Sequence, residues 1–267
     1  MRRKRIAVIS GASSGMGRIF AMLLAERLSV LSELWLIGRR SEELSGTEER
    51  IRRLRPELSV RKLCLDLCEE ASFSELSGLL REEKPEILFL VNAAGFGKLG
   101  DVEALPEGVQ ADMIRLNAEA PVRLTRLCLP WMKNRKGRIV NFASAAAFLP
   151  QPGFSVYAAT KAFLLSFSES LAEELKQRGR SIPVTAVCPG PVRTDFFDIA
   201  EEFESRPVYK KLLMADAIAV CEKAFLDSLK GRRLSVYGAS MQGFRLLCRL
   251  LPHSAFFFCI RLLNGRG

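Results

Sequence analysis

The sequence predicts an α/β fold, a doubly wound parallel sheet of about seven strands with helices on both faces. Short β-branched or aliphatic runs alternate with longer helical patterns along most of the 267 residues. That alternation is typical of a parallel sheet covered by helices. A glycine-rich turn also separates the first apolar run from the first helical pattern. Ligands of such folds bind at the carboxyl ends of the strands.

Each predicted element follows from its apolar pattern. We place strands at residues 5–10, 34–38, 59–63, 87–92, 138–142, 183–188 and 234–237. Helical patterns lie between them, for example at 15–27, 107–117, 121–133, 155–178 and 216–230. Beyond the last strand, Pro252 separates two short amphipathic patterns that contain arginines. We therefore divide the chain into a domain of residues 1–240 and a C-terminal amphipathic helical extension of residues 241–267.

Composition limits the kind of protein. A hydrophobic content of 48% over 267 residues is that of one large globular domain. The seven cysteines are odd in number and scattered among apolar neighbours, which is typical of reduced thiols in a cytoplasmic protein. Because the chain contains a single histidine, His253, we expect neither a metal site nor a histidine-based mechanism.

The formal net charge of +10 is unevenly distributed. No acidic residue follows Asp227, whereas the basic residues beyond it are Lys230, Arg232, Arg233, Arg245, Arg249, Arg261 and Arg266. These basic residues are not interleaved with stacking aromatic residues as in nucleic-acid-binding motifs, so we predict no nucleic-acid partner. An anionic small ligand or a membrane surface explains the charge at least as well.

Tyr157 and Lys161 stand four residues apart in a helical pattern, so their side chains share one helix face. Lowering the pKa of a phenol from about 10 to about 7 requires roughly 4 kcal/mol. One cation about 4 Å away, at an effective dielectric of about 20, supplies about that much, although desolvation acts in the opposite direction. The pair therefore predicts a general acid or base. Considered alone, it is better explained by a helix with one buried tyrosine and a solvated lysine, so the rest of the chain must decide.

Further motifs accompany this pair in a fixed order. They are Gly11, Gly15 and Gly17 after the first strand, Asp66, Asn92 to Gly95, Asn117, Ser144, and Pro189 with Gly190. With Tyr157 and Lys161, this order resembles the single-domain short-chain dehydrogenases/reductases, over about residues 5–238. The resemblance implies a Rossmann-type fold and a hydride transfer between a nicotinamide cofactor and a substrate.

The resemblance also implies roles for four catalytic residues. Tyr157 protonates the carbonyl oxygen during reduction or removes the hydroxyl proton during oxidation. Lys161 lowers the pKa of Tyr157 and hydrogen-bonds the nicotinamide ribose. Ser144 holds the substrate oxygen, and Asn117 anchors a water that links Lys161 to solvent. A packing serine and a polar residue interrupting a helix are the alternatives for Ser144 and Asn117.

The cofactor-binding positions are likewise implied by the resemblance. Asp66 corresponds to the residue that binds the adenine amino group, and Pro189 to Thr194 correspond to the segment that contacts the nicotinamide carboxamide. The full set is Gly11, Ser13, Ser14, Gly15, Met16, Gly17, Arg39, Arg40, Asp66, Leu67, Asn92, Ala93, Ala94, Gly95, Tyr157, Lys161, Pro189, Gly190, Val192 and Thr194.

The tip of the second strand indicates which nicotinamide cofactor is preferred. It ends in Arg39 and Arg40 with no carboxylate. A carboxylate there would bind the ribose 2'-hydroxyl of NAD(H), whereas arginine pairs with the 2'-phosphate of NADP(H). We therefore expect NADP(H) to be preferred over NAD(H). For Arg40, a solvated surface charge explains the residue nearly as well.

The substrate and the partners are less sharply indicated. Residues 196–214 occupy the place of a substrate-covering lid, and Phe96, Phe148, Phe154, Phe196 and Phe197 indicate a lipophilic carbonyl or alcohol substrate, although core packing explains most of them. The extension could contact an anionic membrane, the substrate entrance or a subunit of a homodimer or homotetramer, with packing on protein favoured. A membrane-surface lipid-processing reductase and a non-catalytic NAD(P)-binding scaffold are the rival functions.

Overall fold

The structure is a computed structural model that describes residues 3–194, 196–203 and 214–263, with backbone alone at 197, 198 and 259–263. Seven strands pair in parallel, in the order β3-β2-β1-β4-β5-β6-β7. The predicted doubly wound, Rossmann-type sheet is therefore confirmed. The strands are β1 Arg5–Ser10, β2 Glu33–Gly38, β3 Ser59–Cys64, β4 Glu86–Asn92, β5 Arg138–Phe142, β6 Val184–Val187 and β7 Leu234–Ser235.

Helices connect the strands and cover both faces of the sheet. In the described part of the chain they are α1 Gly15–Arg27, α2 Ser41–Leu54, α3 Glu70–Glu83, α4 Glu107–Ile114, α5 Ala120–Cys128, α6 Ser155–Gln177, α7 Phe196–Ala200, α8 Ala217–Leu229, α9 Ala239–Leu250 and α10 His253–Leu263. A π-helical turn, Arg115–Glu119, joins α4 to α5, and 3₁₀ turns occupy Leu129–Trp131 and Ala145–Phe148.

Three predicted elements differ from those observed by more than one residue at an end, each for a local reason. The helix expected at 107–117 changes to π geometry at Arg115. The helix expected at 121–133 ends at Cys128, because Pro130 has no N–H to continue the ladder. The strand expected at 234–237 ends at Ser235, whose carbonyl oxygen accepts the last hydrogen bond of the pairing, from the Cys188 N–H. The residue after Cys188 is Pro189, which has no N–H to continue the pairing.

Alternate residues of the central strand β1 face opposite sides of the sheet. Ala7 and Ile9 belong to a buried cluster with residues of α1, α2 and α8. Ile6 and Val8 belong to another with residues of α3, α5 and α6. The first of these layers brings α1 and α8 together, although they are far apart in the chain. Within it, the thiol of Cys221 in α8 donates to the carbonyl oxygen of Met16 in α1 at 3.6 Å.

Strand order reverses direction at β1, which pairs with β2 on one side and with β4 on the other. The chain leads from β1 and from β4 to helices on opposite faces of the sheet. Such a switch point forms the crevice at the carboxyl ends of the strands where ligands of doubly wound sheets bind. Beyond β7, the helices α9 and α10 are the two short helices expected after residue 241. None of the helices in the described ranges is long and apolar enough to cross a membrane. The division at residue 240 stays a prediction.

Candidate functional site

Two glycines shape the turn after β1. Gly11 and Gly15 have φ values of +69° and +52°, a region that side chains rarely occupy. A Cβ on Gly11 would lie 2.6 Å from the backbone nitrogen of Ala94, so the turn packs directly on the segment after β4. A Cβ on Gly17 would collide with the carbonyl group of Gly11. The glycine pattern therefore forms a cradle whose floor is backbone.

The cradle suits a pyrophosphate group. It opens on the first turn of α1, where the Ser14 side chain makes no capping hydrogen bond and no acidic residue is present. The N-terminal N–H groups and the positive end of the helix dipole therefore face the turn. On the other side, the Thr194 side chain lies 3.9 Å from the position of a Cβ on Gly15. Thr194 thus lies beside the cradle, and its contact with the nicotinamide carboxamide stays a prediction.

Arg18 braces this turn and was not identified from the sequence. Its guanidinium donates to the carbonyl oxygen of Ser13, and its Nε donates to the Thr47 hydroxyl at 3.0 Å. Thr47 in turn donates to the carbonyl oxygen of Ala12 at 2.9 Å. A cation in the first turn of a helix opposes the helix dipole, and that unfavourable position is the signal that could have marked it.

The ends of β2 and β3 bring Arg39 and Asp66 together. Their charged groups are 3.6 Å apart, and both side chains are well exposed. Arg40 instead pairs with Glu43 at 3.0 Å on α2. The Asp66 carboxylate also accepts a hydrogen bond from the Cys68 N–H at 2.9 Å. Of the two arginines, Arg39 is therefore the one beside Asp66. The Leu67 side chain is buried in the apolar layer beneath this edge of the sheet.

The segment after β4 contributes backbone rather than side chains. The Asn92 side chain is buried and donates to Asn141 at 2.7 Å, which donates to Ser168 of α6 at 2.8 Å. Its Oδ1 atom is buried and has no hydrogen-bond partner. Ser10, not identified from the sequence, accepts from the N–H groups of Ala93 and Ala94, both at 3.2 Å.

Asn117 lies inside the π-helical turn and is fully buried. Its side chain accepts from the Phe96 N–H at 3.0 Å and donates to the Phe96 carbonyl at 2.8 Å. It also donates to Thr160 of α6 at 3.1 Å. A Cβ on Gly95 would lie 2.8 Å from Asn117 Oδ1 and 3.2 Å from Lys161 Nζ. The absence of a side chain at Gly95 therefore leaves room for both the Asn117 amide and the Lys161 ammonium. Single π-helical turns such as the one that holds Asn117 are frequent at functional sites.

Tyr157 and Lys161 lie on the buried face of α6, as their spacing predicts. Burial raises the pKa of Tyr157 to about 12, and a hydrogen bond with the Ser144 side chain acts in the opposite direction. Burial lowers the pKa of Lys161 to about 8. The net shift of the Tyr157 pKa is therefore upward, because desolvation of the phenol is the largest effect, and the lowering expected from Lys161 stays a prediction.

Ser144 lies at the end of the segment after β5 and caps the 3₁₀ turn Ala145–Phe148. Its hydroxyl oxygen accepts from the Ala146 N–H at 3.1 Å. The Ala145 N–H donates to the carbonyl oxygen of Pro189 at 2.8 Å, which joins this turn to the segment after β6. In that segment Val192 is buried and bridges to Ala215, and a Cβ on Gly190 would lie 2.6 Å from the Met241 sulfur of α9.

Aromatic rings enclose the Tyr157 phenol. Phe154 stacks on it with ring centroids 4.3 Å apart, and Phe196 of α7 lies at 5.4 Å. Phe96 packs against the same apolar cluster, whereas Phe148 packs in another with Cys188 and Met241. The side chain of Phe197 lies outside the described part of the chain. The wall around the phenol is therefore largely apolar.

Lys98 fastens α7 beside this wall and was also not identified from the sequence. Its buried ammonium donates to the carbonyl oxygen of Ile199 at 2.6 Å and pairs with Glu202. The Leu99 N–H donates to the carbonyl oxygen of Ala200 at 2.9 Å. These contacts hold the first part of the predicted lid, of which residues 204–213 lie outside the described ranges.

Comparison with known proteins agrees with this geometry. A profile of the short chain dehydrogenase family matches residues 5–205. The chain is 31% identical over 194 residues to the 3-oxoacyl-(acyl-carrier-protein) reductase FabG of Escherichia coli, covering 72% of this chain and 75% of that protein.

Two solved structures extend the comparison. A short-chain dehydrogenase from Sphingobium yanoikuyae in complex with NADPH has a TM-score of 0.75 at 28% identity, over 94% of this chain and 97% of that one. A short-chain dehydrogenase/reductase from Burkholderia phymatum in complex with NAD has a TM-score of 0.78 at 24% identity, over 92% of each chain. The second likeness shows the fold alone.

Proposed function

The chain belongs to the short-chain dehydrogenase/reductase family, and on that premise we propose that it interconverts a carbonyl and an alcohol group with NADP(H) as the preferred cofactor. Membership makes the protein an NAD(P)-dependent dehydrogenase or reductase. The direction, the substrate class and the choice between NADP(H) and NAD(H) are parts of the proposal. So are the roles of individual residues.

One observation carries the proposed chemistry. The phenol of Tyr157 is buried among aromatic rings, is hydrogen-bonded by Ser144, and has Lys161 Nζ 5.6 Å from its ring centre. A buried phenol with a raised pKa is fully protonated at neutral pH. That is the state from which a proton can be donated to a carbonyl oxygen during reduction.

Each of the four residues has a distinct task in this proposal. Tyr157 donates the proton during reduction and accepts it during oxidation. Ser144 holds the substrate oxygen beside the phenol. Lys161 binds the ribose of the nicotinamide and stabilises negative charge that develops on the phenol. Asn117 fixes the backbone of Phe96 and anchors the water through which Lys161 exchanges protons with solvent.

The residues that would hold the cofactor suit its anionic parts. When bound, the nicotinamide ring supplies or accepts the hydride. The cradle of Gly11, Gly15 and Gly17 with the first turn of α1 receives the pyrophosphate. Arg39 pairs with the 2'-phosphate of NADP(H), and Asp66 binds the adenine amino group. Ser13, Ser14 and Met16 line the same turn, and Pro189 to Thr194 contact the carboxamide.

The substrate we propose is lipophilic. The phenol shares its buried cluster with Leu99, Met113 and Phe154, and Phe196 packs against them. The rings of Phe96 and Phe196 at the edge of this cluster are only partly buried, and a carbonyl compound with an apolar substituent would remove their exposed surface from water. The likeness to a 3-oxoacyl reductase favours the direction of carbonyl reduction. A non-catalytic scaffold stays the weaker alternative, because binding alone does not require the Ser144, Tyr157 and Lys161 arrangement.

We include a cytoplasmic location and a homodimer or homotetramer in the proposal. Scattered thiols without a paired partner among the described cysteines support a reducing compartment. Closed symmetric homo-oligomers are the common assemblies of soluble enzymes. Sedimentation equilibrium of the full chain measures the number of subunits directly.

The test is a screen of aldehydes and ketones for oxidation of NADPH by the purified chain. Tyr157→Phe should lower kcat/KM by about 10²- to 10⁴-fold, the usual contribution of a general acid, while NADPH still binds. Tyr237→Phe, which removes a phenol hydroxyl elsewhere, is the control and should keep its activity. Activity of Tyr157→Phe equal to the wild type would refute the mechanism. NADH turnover as efficient as NADPH turnover would refute the cofactor preference.

A further inference from the structure

Helix α9 exposes an apolar face. Leu246, Leu247, Leu250 and Leu251 have exposed fractions of 57, 50, 68 and 45%. Leu246 and Leu250 are four residues apart, as are Leu247 and Leu251, the residue that follows the end of α9. The four leucines therefore form one stripe at the C-terminal end of the helix. On the opposite side, Cys248 is buried and Met241 packs against Gly190. The stripe is therefore the outer face of a helix already packed on the protein body.

The second tail helix exposes a further apolar side chain. Phe256 of α10 packs edge-on against Phe244 of α9, with ring centroids 6.4 Å apart. Phe258 of α10 is 58% exposed. Large apolar side chains that stay exposed on neighbouring elements are typical of an interaction surface.

The charge around the leucine stripe has one sign. Arg245 and Arg249 are both exposed and flank the stripe along one edge of α9. Seven basic residues and no acidic residue occur after Asp227. The net formal charge of the whole chain is +10. An amphipathic helix with arginines beside an apolar face is typical of helices that lie in the interface of an anionic membrane.

A second copy of the chain is a less suitable occupant. A two-fold interface places the same patch on both subunits. Such an interface through the stripe would bring two sets of Arg245 and Arg249 together with no carboxylate in the tail to pair with them. Anionic lipid headgroups, in contrast, supply the complementary charge, at about 1 kcal/mol for each basic residue near the surface.

We propose that the outer face of α9, with Phe258 of α10, docks the protein on an anionic lipid surface. The leucines enter the boundary between headgroups and acyl chains, and the arginines contact the headgroups. Met241 and Leu246 are five residues apart, about 8 Å along the helix axis. The docked surface therefore lies close to the Pro189 and Gly190 segment of the candidate site.

Sedimentation of the full chain with vesicles tests this proposal. The vesicles contain phosphatidylcholine alone or phosphatidylcholine mixed with phosphatidylglycerol. We expect the wild type to bind the mixed vesicles, with a partition coefficient at least about tenfold higher than for phosphatidylcholine alone, and to lose binding at high salt. No binding to the mixed vesicles, or equal binding to both kinds, would overturn the proposal.

Two double variants separate the apolar and the charged contributions. Leu246→Ser with Leu250→Ser, and Arg245→Gln with Arg249→Gln, should each lower binding to mixed vesicles at least about tenfold. The matched controls are Leu54→Ser and Arg53→Gln on the exposed side of α2, which should bind as the wild type does. Thermal unfolding by circular dichroism verifies that each variant is folded.

The competing occupant has its own readout. Sedimentation equilibrium measures the oligomer mass of the wild type and of both double variants without lipid. We expect the mass to be unchanged. A leucine variant that binds vesicles as the wild type does, or that dissociates the oligomer, would assign the stripe to another role and refute membrane docking.

Discussion

The Nζ atom of Lys161 lies 5.6 Å from the ring centre of Tyr157 and donates its hydrogen bond to the carbonyl oxygen of Phe142 at 2.9 Å. Burial favours the neutral form of both side chains, raising the pKa of Tyr157 to about 12 and lowering that of Lys161 to about 8. The phenol is thus protonated at neutral pH, and the lysine beside it is close to losing its charge at slightly alkaline pH.

The first prediction concerns the pH dependence of stability. The pKa of Lys161 is about 8 in the folded state, against its ordinary value of 10.5, so the unfolded state binds more protons between these pH values. The free energy of unfolding of the wild type, relative to Lys161→Met, should therefore rise by about 3 kcal/mol from pH 8 to pH 10.5. This contribution is lost again as the pH falls to about 8. Urea unfolding of both proteins across this range measures it, and a constant difference would contradict it.

The second prediction tests the close contact between Gly97 and the phenol. A Cβ on Gly97 would lie 2.8 Å from Tyr157 Cδ2 and 2.7 Å from Phe154 Cζ, so both rings must move. Gly97→Ala should lower kcat/KM at least about tenfold, because a catalytic group displaced by a fraction of an ångström loses its alignment. Fluorescence titration with NADPH should show unchanged binding.

Gly46→Ala is the matched control for Gly97→Ala. Gly46 lies within α2 and has no atom within 4 Å of the added Cβ. The change should keep full activity and stabilise the fold by up to about 1 kcal/mol, since alanine favours helix more than glycine does. An equal loss of activity in both variants would show that the effect does not come from the contact between residue 97 and the Tyr157 and Phe154 rings.

The third prediction concerns Arg39. Arg39→Gln should raise KM for NADPH by about 10- to 100-fold and change KM for NADH little, because one charge-assisted pair with the 2'-phosphate is lost. Arg53→Gln, with a side chain 80% exposed on α2, is the control. Steady-state kinetics with both cofactors decide it. Parallel losses with NADPH and NADH would show that Arg39 acts through Asp66 rather than through phosphate.

The fourth prediction tests the attachment of α7 by Lys98. Lys98→Met keeps an apolar stem of similar length but removes the hydrogen bond to Ile199 and the pair with Glu202. We expect KM for the carbonyl substrate to rise about tenfold while the affinity for NADPH stays constant, since Phe196 would no longer be held beside Tyr157. Lys62→Met, which removes the ion pair between the exposed Lys62 and the buried Glu48 far from this wall, is the control. An unchanged KM would assign Lys98 to stability alone.

What the sequence could predict was local. The glycine turn and the Tyr157 and Lys161 pair depend on spacing within a single strand–turn–helix unit or a single helix, and they lie where expected. The π-helical turn could not be predicted from its own residues, since Asn117 within it is hydrogen-bonded to the backbone of Phe96, 21 residues away. Ser10 and Lys98 escaped notice for the same reason, since their partners are 83 to 104 positions distant. The direction of the shift in the Tyr157 pKa depends on burial, which the spacing of residues in the sequence does not reveal.

The bond between Cys221 and the Met16 carbonyl bears on how the chain acquires its fold. It ties the helix that opens the phosphate cradle to one 205 positions later. Contacts of such high sequence separation slow folding, because the loop must close before the contact stabilises anything. We therefore expect α8 to pack on α1 late in folding, although α1 is encoded first. An intermediate in which α8 is not yet packed would expose the apolar residues of α1 that α8 covers, and such exposed surface favours aggregation.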